Sequence, residues 1–269
     1  MLSGNRINDE GISSGKQDVS TKGKRKAKLL KDARIPIEEI NDSHVREMWE
    51  IFRRFYDEVN FNKFFSDLKN KQGVIVALDH NEKIRGFSTY KFFNISFENA
   101  TTSVIFTGDT ILEPQFWGQS ALKVGYTKLV MYQKLKKPSQ DLYWFLISKG
   151  YKTYLAMTRN FPNCWPKYNV KTPPKIAQLL NESAIMLYPS NWRKEKGLLE
   201  FKISEGQLKS HVARIELSDE LDPDIKFFMK KNPNHINGDE LCCLAKIDWK
   251  YFYYQATKSS RKLFKNIIK

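Results

Sequence analysis

The sequence is poor in cysteine, histidine and long apolar runs, and each shortage excludes a class of protein. Its three cysteines, Cys164 and the adjacent pair Cys242 and Cys243, form no CxxC pair and cannot build a disulfide framework. Four scattered histidines predict no metal site. No run of about 18 apolar residues predicts a transmembrane helix, and no apolar segment follows the N-terminal basic residues as in a secretory signal. We therefore expect a reduced, cytoplasmic protein.

Positive charge and apolar residues are both plentiful. The 269 residues include 45 Lys and Arg against 30 Asp and Glu, a formal net charge of +15. The hydrophobic fraction of 41% is enough to bury one sizeable core. The basic excess favours polyanionic partners in general: nucleic acid, anionic lipid or a phosphate-bearing cofactor. Neither a GxxxxGK[ST] nor a GxGxxG motif occurs, so the signatures of nucleotide hydrolysis and dinucleotide redox chemistry are missing.

Hydrophobic periodicity divides the chain into a polar arm and an alternation of strands and helices. Residues 1–32 are rich in Gly, Ser and Lys and predict a flexible basic arm. From Ala33 the predicted order is β-α-α-β-β-β-α-β-α, an α/β fold with helices on both faces of a mixed sheet. The elements are a strand over Arg34–Ile40, a helix capped by Asp42 or Ser43, a short helix at 62–69, strands at 74–78, 84–93 and 102–112, a helix after Gly118 and Ser120, a strand over Leu142–Ile147, and a helix over Lys149–Thr158 capped by Ser148.

Beyond Arg159 the pattern is less regular. An aromatic loop over Phe161–Trp165 precedes short helices, a buried strand over Leu241–Ile247 and a basic amphipathic helix over Trp249–Lys269. The apolar side of that last helix carries Leu263, Phe264, Ile267 and Ile268.

The stretch from Thr110 to Leu122 combines a strand end, a glycine turn and a helix start. Small residues such as Gly118 let the backbone approach a ligand, and the first N–H groups of a helix have no partner within it. Such an arrangement suits a pyrophosphate.

The strand and helix order together with this turn resembles the GNAT superfamily, the Gcn5-related acyl-CoA-dependent N-acyltransferases, over about residues 33–158. Two registers fit. Gln115-Phe-Trp-Gly118-Gln-Ser120 is similar to the Arg/Gln-x-x-Gly-x-Gly/Ala loop of the family, and Pro114-Gln-Phe-Trp-Gly-Gln-Ser120 to its Pro-x-x-Trp-Gly-x-Gly variant. In both registers Ser120 takes the last small position.

The resemblance implies a GNAT-like, mostly antiparallel central sheet with helices on both faces and a C-terminal extension. It implies acetyl-CoA or another acyl-CoA as co-substrate and direct attack by an amine acceptor. It divides the chain into the arm at 1–32, an acyl-CoA-binding core at 33–190, and a part at 191–269 that completes the sheet and the acceptor side. The fourth and fifth strands would splay apart near Glu113 and Phe145, and the aromatic loop would wall the acceptor pocket.

Site residues follow from the same resemblance. Asp109 and Glu113 on the fourth strand are the candidate bases, and Tyr151 and Tyr154 are the candidate acids. The alternatives are a bulge or turn at Gly108-Asp109, a solvated strand end at Glu113, and packing roles for both tyrosines. The residues implied in acyl-CoA binding are Ile111, Leu112, Gln115, Trp117, Gly118, Gln119, Ser120 and Ala121, with a backbone N–H near Ile111 or Leu112 as oxyanion donor.

Two other functions stay open from the residues alone. A non-enzymatic nucleic-acid-binding protein would use the net charge, the basic cluster from Lys24 to Lys28 and the basic C-terminal tail, although no helix-turn-helix, zinc-finger or RNP signature occurs. In a further alternative, the terminal helix docks on an anionic membrane. The competing interpretation is that its apolar side packs on the domain and its lysines face water.

Overall fold

The computed structural model describes residues 29–97, 100–201, 207–208 and 221–267. The strands in these ranges are β1 (Lys31–Pro36), β2 (Tyr56–Asp57), β3 (Gly73–Leu78), β4 (Ile84–Phe97), β5 (Ala100–Leu112), β6 (Leu142–Ser148), β7 (Cys164–Trp165), β8 (Trp192–Arg193), β9 (Leu198–Leu199), β10 (Gln207–Leu208) and β11 (Glu240–Lys246). The helices are α1 (Asp42–Phe55), α2 (Phe61–Lys69), α3 (Ala121–Lys136), α4 (Tyr151–Thr158), α5 (Pro174–Leu187), α6 (Pro223–Lys231) and α7 (Trp249–Ile267).

Nine of the described strands form one sheet in the order β1-β3-β4-β5-β6-β11-β9-β8, in which β7 also pairs with β11. Strands β5 and β6 are parallel, and the other pairs are antiparallel. The short strands β2 and β10 form a separate ribbon. The predicted mixed, mostly antiparallel sheet is therefore confirmed, and the strand predicted over Leu241–Ile247 is β11, beside β6.

Helices cover both faces of the sheet because successive strand residues point to opposite sides. Val74 and Val76 of β3 pack with α1 and α2, whereas Ile75 between them packs with α3 and α4. Helix α5 lies on the α1–α2 side, where its buried side chains belong to the same hydrophobic cluster as Val104 and Phe106 of β5. Helices α6 and α7 bury side chains on the α3–α4 side. The prediction of helices on both faces is thus confirmed.

Several predicted boundaries are wrong by a few residues. The first strand spans Lys31–Pro36 rather than 34–40, because the chain after Pro36 winds into a 3-10 turn. Helix α1 is capped by Asn41, whose side chain accepts a hydrogen bond from the His44 amide. Helix α4 begins two residues late because Gly150 holds its N-cap position; the Ser148 hydroxyl donates to the Gly150 carbonyl instead of capping.

Helix α7 packs onto the domain through its first half. Tyr251, Phe252 and Gln255 are buried, and the Tyr251 ring stacks on Phe161 at 4.5 Å between centroids. This confirms the predicted helix as far as Ile267 and favours packing over membrane docking for its first half. The side chains of the predicted apolar cluster from Leu263 to Ile268, and the arm up to residue 28, lie outside what the structure describes. Among the described helices, none combines the length and apolarity needed to cross a bilayer.

Candidate functional site

Strands β5 and β6 form a fork. They pair only where Ser103–Thr107 faces Leu142–Leu146, although β5 continues to Leu112 and β6 to Ser148. At the vertex of the fork the Trp144 indole donates a 2.8 Å hydrogen bond to the Thr107 hydroxyl. The predicted splay is therefore present, but its position differs: on β5 it begins several residues before Glu113, and on β6 it begins after Leu146, because Phe145 still pairs with Phe106.

A bulge in β5 explains why the two strands part. The pairing of β4 with β5 shifts between Ser88 and Tyr90, so that Gly108 and Asp109 together oppose the single residue Thr89. An extra residue bends a strand and increases its twist locally. The bulge that was the alternative interpretation of Gly108-Asp109 is confirmed, and it turns β5 away from β6.

The edge of β5 that faces the fork carries backbone groups that no strand pairs. The Glu113 amide donates to the Arg85 carbonyl of β4 at 3.0 Å. Hydrogen-bonded residues alternate along an antiparallel ladder, so the backbone N–H and C=O groups of Ile111 also point to β4. The backbone groups of Leu112, the residue between, point into the fork. The Leu112 carbonyl accepts a 2.7 Å bond from the Trp117 indole. Of the two predicted oxyanion donors, the Leu112 amide is thus the one directed into the fork.

The loop from Glu113 to Ser120 leads from this edge to α3 and is anchored by Phe116, which is buried against Leu30 and Ala121. Gly118 has a φ of +88° with open space around it. The Gln119 side chain accepts a hydrogen bond from the Leu30 amide at 2.8 Å.

Helix α3 starts with backbone N–H groups available. Ser120 holds the N-cap position without a side-chain capping bond. In the described part of the chain, the amides of Ala121 and Leu122 have no backbone acceptor, as the geometry of a first helical turn dictates. An anion of the size of a diphosphate fits such a helix start.

The two candidate acids lie in different places. Tyr151 is buried at the start of α4, and the Lys152 nitrogen lies 5.9 Å from its ring centroid and 5.1 Å from the Trp117 ring centroid. Tyr154 is fully buried, and its hydroxyl donates to the Pro166 carbonyl, beyond β11 and on the side of β6 away from β5. Burial raises the pKa of Tyr154 well above its usual value. The structure thus separates the predicted pair.

Glu113 is buried within a network of ion pairs. One carboxylate oxygen lies 2.6 Å from Arg54. The other lies 3.6 Å from Arg85 and accepts a 3.2 Å hydrogen bond from the side-chain nitrogen of Gln115. Gln115 therefore points at Glu113 rather than at the helix start. The predicted solvated strand end is wrong for Glu113, because both of its oxygens are engaged.

Replacing Glu113 with glutamine is expected to lower the free energy of unfolding by about 1–3 kcal/mol, because bonds to charged partners weaken when one charge is lost. Urea unfolding measures this change. The matched control is Glu50→Gln, since Glu50 pairs with Arg53 at the surface and the loss of this pair is expected to cost less than about 1 kcal/mol. Equal effects of the two substitutions would contradict a structural role of the network.

Asp109 belongs to a cluster on the α5 face of the fork, opposite the α3 face that carries the loop. The cluster consists of Asp109, Tyr56, Tyr188, Glu240 and Lys149. Glu240 pairs with Lys149 at 3.4 Å, and the Lys149 nitrogen lies 5.8 Å from the Tyr56 ring centroid. Burial raises the pKa of Asp109 in spite of nearby lysines. Burial also raises the pKa of Tyr56 and of Tyr188, and the negative charges of Asp109 and Glu240 add to both shifts.

The aromatic loop is divided between the two faces of the sheet. Phe161 is buried in the core of the α3–α4 face, and Cys164 and Trp165 form β7, which pairs with β11. The Trp165 side chain packs against the hydrophobic cluster of the α5 face, as Tyr188 does. A separate groove of about 790 Å³ lies along α5 and the β8–β9 hairpin. No group of acidic, histidine or cysteine side chains suited to a metal ion occurs in the described ranges.

Sequence reasoning missed Tyr56, Tyr188, Glu240 and Lys149. They come from the end of α1, the end of α5, the start of β11 and the end of β6, and no spacing in the sequence connects them. The sequence did predict β6 and β11 as buried strands, and their pairing would have been a partial clue to the cluster. Their antiparallel register brings Leu241 opposite Ser148. It therefore places the preceding residue, Glu240, beside Lys149.

No protein-family model matches this sequence, and no curated protein matches it. Among solved structures, Arabidopsis thaliana NAA60 in complex with a bisubstrate analogue is 16% identical, with a TM-score of 0.37, and the match covers 48% of this chain and 82% of that one. The Escherichia coli GNAT family N-acetyltransferase YhbS in complex with CoA is 12% identical, with a TM-score of 0.35 and coverage of 52% and 72%. An aminoglycoside acetyltransferase from an uncultured soil metagenomic sample, in complex with sisomicin, is 18% identical, with a TM-score of 0.32 and coverage of 44% and 76%.

Proposed function

We propose that this protein transfers an acyl group from a coenzyme A thioester to an amine. The observation that carries the proposal is the fork between β5 and β6, which opens beside the start of α3. An extended amide-bearing chain such as pantetheine can pair with the edge of β5 that faces the fork. The diphosphate of the same molecule would then meet the amides of Ala121 and Leu122. Gly118 has no side chain and open space around it, which leaves room for the diphosphate.

The reaction needs a proton acceptor, an oxyanion donor and a proton donor. The amine nitrogen bonds to the thioester carbonyl carbon, and the carbon–sulfur bond breaks. In our proposal Asp109 accepts the proton that the ammonium group loses, the Leu112 amide donates a hydrogen bond to the carbonyl oxygen, and Tyr151 protonates the departing thiolate. Glu113 and Tyr154 are left out, because the first is held in ion pairs and the second points away from the fork.

The acceptor would approach from the α5 face, where the cluster around Asp109 and Glu240 lies. Two carboxylates favour a cationic group, and the rings of Tyr56 and Tyr188 add faces that attract cations. We therefore infer that the acceptor is an amine that arrives protonated. The raised pKa of Asp109 makes its carboxylate a stronger base than an ordinary aspartate.

Calorimetric titration with acetyl-CoA and with longer acyl-CoAs tests the proposal. We expect one site per chain with a dissociation constant between about 1 μM and 1 mM, the usual range for an enzyme's substrate. The absence of binding by every acyl-CoA would contradict it. A parallel titration with duplex DNA at low salt tests the alternative that the protein binds nucleic acid. In that case its affinity for DNA should fall steeply as salt is added.

A further inference from the structure

Two lysines from distant parts of the chain converge on one amide oxygen near the start of α3. Lys123 lies in the first turn of α3, and Lys258 lies on α7. The Lys258 nitrogen donates to Asn160 Oδ1 at 2.9 Å, and the Lys123 nitrogen donates to the same atom at 3.5 Å. The two ammonium groups are therefore no farther apart than the sum of these two distances.

The arrangement is held by several further contacts. The Asn160 side-chain nitrogen donates to the Ala156 carbonyl at 2.7 Å, which leaves its oxygen directed at the lysines. Helix α7 is fixed to the same turn, because Gln255 donates to the Asn160 carbonyl and Tyr254 to the Arg159 carbonyl. Lys258 adds a 2.9 Å bond to the Arg159 carbonyl. The position of Lys258 thus follows from the packing of α7.

The positive charge of Lys258 is not neutralised by its neighbours. Its contacts are two neutral oxygen atoms, and in the part of the chain that the structure describes no carboxylate lies within 4 Å of its nitrogen. The nearby Asp222 is paired with Arg159 at 2.6 Å. Partial burial and the charge of Arg159 both lower the pKa of Lys258, which is the signature of a cation without a counter-ion.

We propose that Lys123 and Lys258 bind the 3′-phosphate monoester of the coenzyme A nucleotide, a proposal that rests on the function proposed above. A phosphate monoester carries nearly two negative charges and matches two adjacent ammonium groups. Lys123 follows Ala121 and Leu122, whose amides would hold the diphosphate, by less than one helical turn. The nucleotide end of the same ligand therefore reaches the lysine pair.

Titration calorimetry with coenzyme A and with 3′-dephospho-coenzyme A tests this assignment on the full chain. We expect the unmodified protein to bind coenzyme A at least about tenfold more tightly than the dephosphorylated form, since each charge-assisted bond to phosphate is strong. Lys258→Met should reduce that preference to less than about threefold, with unchanged affinity for 3′-dephospho-coenzyme A. Lys123→Met should act in the same direction. Lys250→Met, an exposed lysine on the same helix, is the matched control and should keep the full preference.

The outcomes separate this inference from the proposed function. Binding of neither ligand would contradict the acyltransferase itself. Equal binding of both ligands by the unmodified protein, or a preference that survives both lysine substitutions, would overturn the phosphate site alone. A loss of affinity for both ligands in equal measure would also overturn it, because general electrostatic attraction does not discriminate the 3′-phosphate. Thermal unfolding of each variant verifies its fold, and Lys123→Met tests the site should Lys258→Met prove unstable.

Discussion

Asp109→Asn is expected to lower kcat/KM for acyl transfer by at least about 100-fold, the usual contribution of a general base. Because Asp109 must be ionised to accept a proton, kcat/KM of the unmodified protein should rise with pH until the raised pKa of Asp109 is passed. The variant should lose this rise. A pH profile of kcat/KM with acetyl-CoA and a diamine acceptor measures both effects.

The same substitution should leave stability unchanged or increase it. Burial raises the pKa of Asp109 in the folded state, so ionisation disfavours folding once pH exceeds the unfolded value of about 3.9. The unmodified protein therefore loses stability as pH rises from there through the folded pKa, and the asparagine variant does not. Asp141→Asn is the control, since Asp141 lies at the opposite end of β6 in a surface pair with Lys246. A large stability loss in Asp109→Asn, or full activity, would contradict the role as base.

Ser120→Asp is expected to weaken acyl-CoA binding by at least about 30-fold. It sets a negative charge at the N-cap of α3, within a few ångströms of the proposed diphosphate, where two like charges repel by more than about 2 kcal/mol. The substitution should increase the stability of α3, because Ser120 makes no capping bond. Aspartate caps well and lies next to the positive end of the helix dipole. Calorimetry with acetyl-CoA measures the affinity, and thermal unfolding measures the stability.

Ser120→Asn is the matched control for this experiment. Asparagine caps a helix about as well as aspartate and has nearly the same shape, but it carries no charge. We expect its affinity for acetyl-CoA to stay within about threefold of the unmodified protein. Equal affinities for the aspartate and asparagine variants would show that the diphosphate lies elsewhere.

Much of the fold could be predicted from periodicity. The stripe of Val45, Met48 and Phe55 matches the helical period because one face of α1 is buried. The apolar run of β6 is continuous because both faces of that strand are buried. Boundaries were less certain, since Gly150 and Asn41 take cap positions for which the neighbouring Ser148 and Asp42 were also suitable. Several residue types can cap a helix, and packing decides which one does.

The candidate site was predictable only in part. The turn with Gly118 and the start of α3 follow from local residue order, and so does the presence of Asp109 on β5. The separation of Tyr151 from Tyr154 was not predictable, because it depends on β7 and β11 beyond the helix. The ion pairs of Glu113 depend in the same way on Arg54, which is 59 residues away in the chain.

The sequence by itself determined the alternation of strands and helices and the glycine turn before α3, because both depend on neighbours within a few residues. It also determined the net positive charge, which depends on composition alone. Only the tertiary structure decided that β5 parts from β6 and that the charge of Asp109 acts on Tyr56 and Tyr188. It likewise decided that Lys258 meets Asn160 across 98 residues. The reason is physical: burial, ion pairing and pKa shifts depend on distances through space, which the folded core sets.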